Sequence, residues 1–490
     1  MKKLVALVLA ALMMASVLPL VASAASDLPP VTLKFIFFAD KKADTDKVWA
    51  AIADKYRDVL NADFDVQFIP SDDYKQKLLL KAGAGDRWDM NFDGNWLGYY
   101  QMIAMDAYMD ITDMLPEYAP DLYAAYNESG ALGAAIYNGK VVSLPWTMVM
   151  NNRTTFQWRA DLAEAAGIVI DKDSISTFED VFPILEQLKA AYPDRYTIEV
   201  SSLDAMKIKY NLVDIGNNLV IDLNDPDYKV QPLETTEAYK EFAVFAQKLQ
   251  DSDLIWKDVL NDKTDHNALI NEGKLITKWG TYEFARSGRA WVEDGARWDY
   301  VFLYPDSKSA HRTPLANVSA ISATAENPER ALMFMNLLQT DQELYDMMHY
   351  GILGETYEIA ESGAVVYPEG MSTANSSFMG WQGRWAYWKP QFMRPDDEFP
   401  KDFWKEEEIN AFSNPNNVAS PFDAFAFNAD AVNIEVAQRD QVHTDANKII
   451  EVGLAGDAVA AVEKLIADQA FNAEIIVAEA QAQVDAFLGK

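Results

Sequence analysis

No cysteine occurs among the 490 residues of this chain, and the chain opens with an apolar leader. Disulfide bonds therefore cannot stabilise the fold, and no thiol is present behind the leader to carry a lipid. Lys2 and Lys3 precede the apolar run, and Ala22-Ser23-Ala24 has the small-x-small pattern that a signal peptidase cleaves. Pro19 interrupts the run, which is short for a membrane span of about 20 residues. We expect residues 1–24 to be a signal peptide, with an uncleaved anchor helix as the alternative.

The length and the charge narrow the class of protein. A chain of 490 residues is too long for one core, and two or three domains are expected at about 100–200 residues each. The net charge of −33 repels nucleic acid backbones and anionic lipid, so we expect neither as a partner. The 13 tryptophans are more informative, because an exposed tryptophan in a folded protein usually contacts a ligand or a partner.

The region after the leader has the alternating pattern of an α/β domain. Residues 31–38 (VTLKFIFF) and 64–68 predict strands, and residues 48, 52, 56 and 59 form one apolar helix face between them. A third strand at residues 88–92 leads into Asp93-Gly94-Asn95-Trp96. Ligands of open α/β sheets bind beyond the carboxyl ends of strands, so we predict a ligand contact in this loop.

Two further strands, at residues 141–146 (VVSLPW) and 315–321 (LANVSAI), have the pattern of segments that cross between domains. The sequence also predicts helices over residues 159–166 and 177–190, and a helix with Asn327 as its cap and Pro328 at its first position. Residues 371–421 have weak periodicity and predict an irregular connection that carries function. From residue 432 to the end the chain is predicted to be helical.

Four segments carry a family resemblance: residues 74–78 (YKQKL) with Gly83 and Asp89, 137–145 (YNGKVVSLP), 327–339 (NPERALMFMNLLQ) and 350–357 (YGILGETY). In this order the chain resembles the extracellular solute-binding proteins of ABC importers, in the group that includes maltose-binding protein. Residues 420–422 and 481–483 resemble a subgroup with an enlarged C-terminal region. Many members of that subgroup carry a lipid-bearing cysteine after the signal. Its absence here favours a periplasmic or freely secreted protein that is not lipid-anchored.

The resemblance implies an α/β fold of the two-lobed periplasmic-binding-protein type (type II-like), with crossing hinge strands and a C-terminal helical extension. Lobe one would comprise residues 27–145 plus 316–375, and lobe two residues 146–315 plus 376–490. The ligand would be a carbohydrate, either an oligosaccharide or a modified sugar, held in the cleft between the lobes. The implied partner is the membrane permease of an ABC importer, and we expect the protein itself to be a monomer.

The sequence offers no catalytic or metal-binding motif. A cysteine nucleophile is impossible, and neither a Gly-x-Ser-x-Gly elbow nor a phosphate-binding loop is present. The four histidines lack metal-ligand spacing, and residues 222–227 (DLNDPD) lack the glycine and glutamate of a calcium loop. We therefore expect no cofactor, no metal and no enzymatic activity. The alternative is a secreted glycoside hydrolase, which needs only two carboxylates in an aromatic-lined cleft.

Loops that combine aromatic and polar side chains are the predicted ligand contacts, because sugar C–H faces stack on aromatic rings while sugar hydroxyls bond to polar groups. The candidates are Asp93, Asn95 and Trp96, then Trp146, then Trp279 and Tyr282, and finally Trp381, Arg384 and Trp385. Two alternatives stay open for them. Trp146 could instead pack at the hinge, and Trp381 and Trp385, with Trp388 at helical spacing, could instead form a core stripe.

Overall fold

The computed structural model describes residues 28–256, 259–261, 269–270, 272–281, 296–372, 375–379, 389, 391–395 and 409–490. The chain divides into two compact units. The first unit comprises Met1–Trp146, Asn317–Ile359 and Tyr367–Phe392, and the second comprises Thr147–Ala316, Ala360–Val366 and Met393–Lys490. This division places residues 360–366 in the second unit and 376–392 in the first, whereas our predicted lobe boundary lies at 375/376. The predicted signal peptide lies outside the described residues.

The first unit is built on a five-stranded sheet. Its strands, in spatial order, are Ala62–Ile69, Val31–Phe38, Met90–Asp93, Val318–Ile321 and Leu144–Pro145. The first three are parallel, and Val318–Ile321 is antiparallel to both of its neighbours. The predicted strands at residues 31–38 and 64–68 are thereby confirmed, and the one predicted at 88–92 lies at Met90–Asp93. The segment 315–321 is a strand only at Val318–Ile321, because Pro314–Ala316 forms a 3-10 turn. The strand predicted at 141–146 was wrong as one element, because the chain forms two short strands there, Lys140–Val141 and Leu144–Pro145. Shorter strands lie at Ile136–Tyr137, Lys140–Val141 and Glu358–Ile359.

Helices cover this sheet, and their apolar faces form the core of the first unit. Phe35 on the Val31–Phe38 strand packs against Trp49 at a ring-centroid distance of 6.2 Å and against Phe334 at 5.3 Å. Asn327 and Pro328 begin a helix as predicted, although the Asn327 side chain makes no capping hydrogen bond. In the described part of this unit the helices are Thr45–Lys55, Arg57–Leu60, Ser71–Ala84, Tyr99–Ala104, Met114–Tyr118, Pro120–Ser129, Ala131–Ala134, Pro328–Thr340 and Gln342–Tyr350.

The second unit contains two three-stranded antiparallel sheets. Thr155–Arg159 is fully buried and lies between Thr277–Gly280 and Trp298–Phe302. The other sheet orders Gln231–Pro232, Leu219–Asp222 and Leu212–Gly216. Ser309–Ala310 pairs in parallel with Asn417–Val418, and Val365–Val366 is a further short strand.

The helices of the second unit include a pair at the C-terminus that packs into the core of this unit. Thr177 caps one helix through a capping box with Asp180, which confirms the predicted start of that helix. The α-helices that lie wholly within the described residues are Ala160–Ala165, Phe178–Ala191, Leu203–Lys209, Glu237–Asp251, Asn433–Ile450 and Ala458–Phe487, and the 3-10 turns there are Lys172–Ser174, Leu233–Thr235, Pro314–Ala316 and Asp430–Val432. The predicted C-terminal helical region is confirmed.

The C-terminal pair, Asn433–Ile450 and Ala458–Phe487, packs as part of the second unit. Val462 and Leu465 join the core that the Glu237–Asp251 helix helps to form, and Ile476 joins a second core with strand residues such as Leu219. Gly453, in the turn between the two helices, has a φ of +70° and lies close to the backbone of Ala246. Within the described part of the chain, no helix combines the length and the apolar character that spanning a membrane requires.

Candidate functional site

The loop from Gly94 to Gly98 lies at the carboxyl edge of the sheet in the first unit. It follows the Met90–Asp93 strand, which runs parallel to Val31–Phe38, so both strands end at the same edge of the sheet. The Tyr99–Ala104 helix begins directly behind the loop. This is the edge at which ligands of open α/β sheets bind, as we predicted for the loop from its sequence.

Trp96 and Asn95 are the exposed side chains of this loop. The Trp96 side chain is 49% exposed, and its ring edge meets the Phe38 ring at a centroid distance of 5.5 Å. Its indole Nε1 donates to the side-chain oxygen of Asn317 at 3.4 Å. An indole ring that is held in place and also accessible to solvent can offer a stacking surface, with the amide of Asn95 beside it.

Asp93, by contrast, is fully buried and holds the loop in shape. One carboxylate oxygen accepts hydrogen bonds from the amides of Gly94 at 2.8 Å and Gly98 at 3.0 Å. The other accepts a hydrogen bond from the hydroxyl of Tyr108. Burial raises the pKa of Asp93 to about 6, although these hydrogen bonds act in the opposite direction. The contacts of Asp93 are therefore internal, and a direct contact with ligand stays a prediction for this residue.

Trp146 is buried in the first unit. Only 2% of this residue is exposed, and it directly follows the Leu144–Pro145 strand at the edge of the central sheet. A ring that is covered by protein offers no stacking face to a ligand in this conformation. Its environment corresponds to the packing alternative that the sequence left open.

Trp279 lines a pocket in the second unit while most of its ring packs into the core. Its indole Nε1 donates to the Val200 carbonyl oxygen at 2.8 Å, and its ring lies 4.9 Å from that of Phe178. The pocket has a volume of about 210 Å³. Its lining combines apolar, hydroxyl and charged groups: Ile198, Glu199, Val200, Ser201, Ser202, Leu203, Asp204, Lys278 and Trp279. Such a lining can bond to a polyol at several points.

The remaining predicted contacts, Tyr282, Trp381, Arg384 and Trp385, lie outside the described residues, as does Trp388. The structure thus describes five of the predicted residues. Asp93, Asn95 and Trp96 lie together on one loop of the first unit, Trp146 is buried in that unit, and Trp279 belongs to the second.

Residues that were not predicted from the sequence contribute to the Gly94–Gly98 loop and to the pocket beside Trp279. Tyr108 bonds to Asp93 from 15 positions along the chain, and Asn317 bonds to Trp96 from a distant segment. No local pattern marks either residue. Asp204, which lines the pocket, does have a local signal beside it. It lies in the first turn of a short helix that Ser202 caps, and a serine at this position is a recognisable signal for the start of a helix.

Acidic side chains in another part of the second unit accept hydrogen bonds from nearby backbone amides. In the turn at residues 222–227, Asp222 accepts from the Asn224 amide at 2.8 Å and Asp225 accepts from the Asp227 amide at 2.9 Å. Among the described residues, no group of three His, Cys, Asp or Glu side chains is arranged to hold a metal ion.

Two family models match the sequence. Residues 39–369 match the family described as bacterial extracellular solute-binding protein. Residues 421–489, which contain the whole C-terminal helical pair, match a domain of unknown function.

Similar proteins and structures agree with the first match. A carbohydrate ABC transporter substrate-binding protein of Streptococcus pneumoniae serotype 4 is 25% identical over 333 residues, which span 67% of this chain and 66% of that protein, slightly under two thirds of it. The crystal structure of the N-glycan transport solute-binding protein NgtS from Streptococcus pneumoniae has a TM-score of 0.78 at 21% identity, over 94% of this chain and 100% of that one.

A solute-binding protein from Bifidobacterium longum infantis, described as HMO-binding and associated with an ABC transporter, has a TM-score of 0.66 at 13% identity, over 94% of this chain and 99% of that one. At these identities the structural likeness shows the fold, which confirms the predicted solute-binding-protein architecture. Because the first family model matches more than half of its length, this chain belongs to the bacterial extracellular solute-binding protein family.

Proposed function

We propose that this protein captures a carbohydrate, an oligosaccharide or a modified sugar, and delivers it to the permease of an ABC importer. The observation that carries the proposal is the half-exposed Trp96 ring on a polar loop at the carboxyl edge of its sheet. Sugars present apolar C–H faces to such rings and hydroxyls to neighbouring amides. The relative from Streptococcus pneumoniae, described as a carbohydrate ABC transporter substrate-binding protein, supports the same substrate class.

The pocket beside Trp279 is the second proposed contact surface. Its carboxylates at Glu199 and Asp204 and the hydroxyls of Ser201 and Ser202 supply acceptors and donors that suit sugar hydroxyls. We propose that the protein acts as a monomeric binding protein without catalysis and without a nucleic acid partner. Tyr282, Trp381, Arg384 and Trp385 stay proposed ligand contacts.

A binding screen tests the substrate class. The panel contains Man5GlcNAc, a neutral human milk oligosaccharide, kestose, cycloalternan and an alginate oligosaccharide, with a peptide mixture for comparison. A ligand present at 100 times its Kd adds about 2.7 kcal/mol to the stability of the folded state, which raises the melting temperature measurably. Binding of peptides together with failure of every saccharide would refute the proposal. Release of shorter sugars from a bound oligosaccharide would instead support the glycoside hydrolase alternative.

Replacement of Trp96 by alanine tests the contact itself. Loss of a stacking ring removes apolar contact worth on the order of 1–3 kcal/mol, so affinity should fall roughly tenfold to hundredfold. The ligand-free melting temperature should hardly change, because half of the side chain is already exposed. Leu80→Ala is the matched control, since Leu80 is an exposed apolar residue of the same unit and should leave affinity unchanged.

We further propose that the protein is exported and cleaved after Ala24, and that it acts in the periplasm or as a secreted protein without a lipid anchor. The mass of the exported protein tests this proposal. A mature N-terminus at Ala25 is expected. A mass that includes the leader, or an added acyl chain, would contradict it.

A further inference from the structure

We propose that Asp93 and Tyr108 form a latch that sets the conformation of the Gly94–Gly98 loop and thereby positions Trp96 for its ligand. This assignment rests on the proposed function for the role of Trp96, whereas the latch itself can be tested without any ligand. Tyr108 would be a positioning residue, since it acts on the ligand only through the loop.

The geometry of Asp93 links the two ends of the loop. A single oxygen of its carboxylate accepts from both the Gly94 and the Gly98 amides, so the loop is closed across its base. The carboxylate can rotate about its own bond unless its second oxygen is also held. The Tyr108 hydroxyl supplies that bond, and both side chains are buried from water.

Tyr108 is itself held from two sides. Its hydroxyl accepts from the side-chain amide of Asn91 at 3.2 Å, and the oxygen of that amide accepts from the Trp88 indole at 2.9 Å. Its backbone forms a bridge with Ser322, next to the Val318–Ile321 strand. A buried and fully bonded network of this kind favours one arrangement, because any other would leave polar groups unpaired away from water.

The consequence concerns the entropy of the loop. A ring that is held in its binding conformation before the ligand arrives loses less freedom on binding than a ring on a mobile loop. Removal of the Tyr108 hydroxyl should therefore weaken binding without removing any atom from the proposed contact surface.

Hydrogen exchange of the ligand-free full-length chain tests the latch. In Tyr108→Phe the amides of the Gly94–Gly98 segment should exchange about tenfold faster, as the loss of one buried hydrogen bond implies. Tyr56→Phe is the matched control, because Tyr56 donates to Asp341 at 2.9 Å in the same unit and far from the loop in sequence. Unchanged exchange in Tyr108→Phe, or an equal increase throughout the unit, would overturn the latch.

Affinity for Man5GlcNAc then tests the connection to Trp96. Tyr108→Phe should lower affinity about threefold to tenfold, and it should cause no further loss in a Trp96→Ala background. An additive loss would mean that Tyr108 does not act through Trp96. If Tyr108→Phe does not fold, Asp93→Asn replaces the acceptor of the Tyr108 hydroxyl by an amide donor while it keeps the oxygen that bonds to the two amides. Failure of the wild-type protein to bind any saccharide would refute the proposed function and leave the exchange result to decide the latch.

Discussion

Replacement of Arg439 by methionine should destabilise the second unit by about 3–5 kcal/mol, because it leaves a buried carboxylate without its partner. Arg439 lies on the Asn433–Ile450 helix, and Glu234 lies in the Leu233–Thr235 turn. Both side chains are 1% exposed, and their closest atoms, Nη2 and Oε2, are 2.6 Å apart.

The same guanidinium holds the turn of a hairpin. It donates to the carbonyl oxygens of Asn217 and of Asn218, the latter at 3.0 Å, and both of these residues have positive φ. Arg439→Met therefore also removes the donors from two carbonyl groups. A loss of this size is a large fraction of the stability of a domain, which is typically about 5–15 kcal/mol.

Urea unfolding of the wild-type chain, Arg439→Met, Glu234→Gln and the double variant measures the effect. The double variant should be more stable than the sum of the single losses implies, by about 1–3 kcal/mol, because a neutral amide costs less to bury unpaired than a carboxylate. Lys464→Met is the control, since Lys464 makes an exposed ion pair on the neighbouring helix and should have little effect. A loss below about 1 kcal/mol for Arg439→Met, or strict additivity, would refute the reasoning.

Three further substitutions test the close approach at Gly453, the raised pKa of Asp93 and the packing of Trp279. Gly453→Ala should cost about 2–4 kcal/mol by urea unfolding, since its Cβ would overlap the Ala246 carbonyl, whereas Gly456→Ala has open space and should cost about 1 kcal/mol from its positive φ alone. Equal losses would contradict this. Because the folded-state pKa of Asp93 is raised to about 6, its contribution to stability is present at low pH and lost as the pH rises through 6. Relative to wild type, Asp93→Asn should therefore gain about 2 kcal/mol between pH 4.5 and 7.5, and a constant difference would count against the raised pKa. Trp279→Ala should lower the ligand-free stability by roughly 2–4 kcal/mol, and an unchanged melting temperature would show that the ring is not part of the core.

Local signals in the sequence were sufficient for most of the individual elements. The apolar pattern of residues 31–38 predicted a strand, and the helix predicted from residue 177 begins there with a capping box in the structure. The family resemblance also came from segments of fewer than 15 residues each. Such features depend on periodicity and on neighbouring residues, and these are written directly in the sequence.

The environment of each candidate residue was decided by tertiary contacts. Trp96 and Trp146 both closely follow a strand of the same sheet, yet one is half exposed and the other is buried. The difference depends on what distant segments place over each ring, and the Asn317 contact of Trp96 is one example.

Tertiary contacts also decide the environment of the charged groups. A local reading placed Asp93 at a ligand-binding edge, and only the fold brings Tyr108 to it and turns its carboxylate inward. Glu234 and Arg439 are 205 positions apart, and neither has a neighbour that predicts the other. Short-range order was therefore sufficient to predict most of the strands and helices and the family that the chain resembles. Which side chains face solvent and which polar groups pair was decided by the tertiary structure, because burial and pairing depend on contacts between segments far apart in the chain.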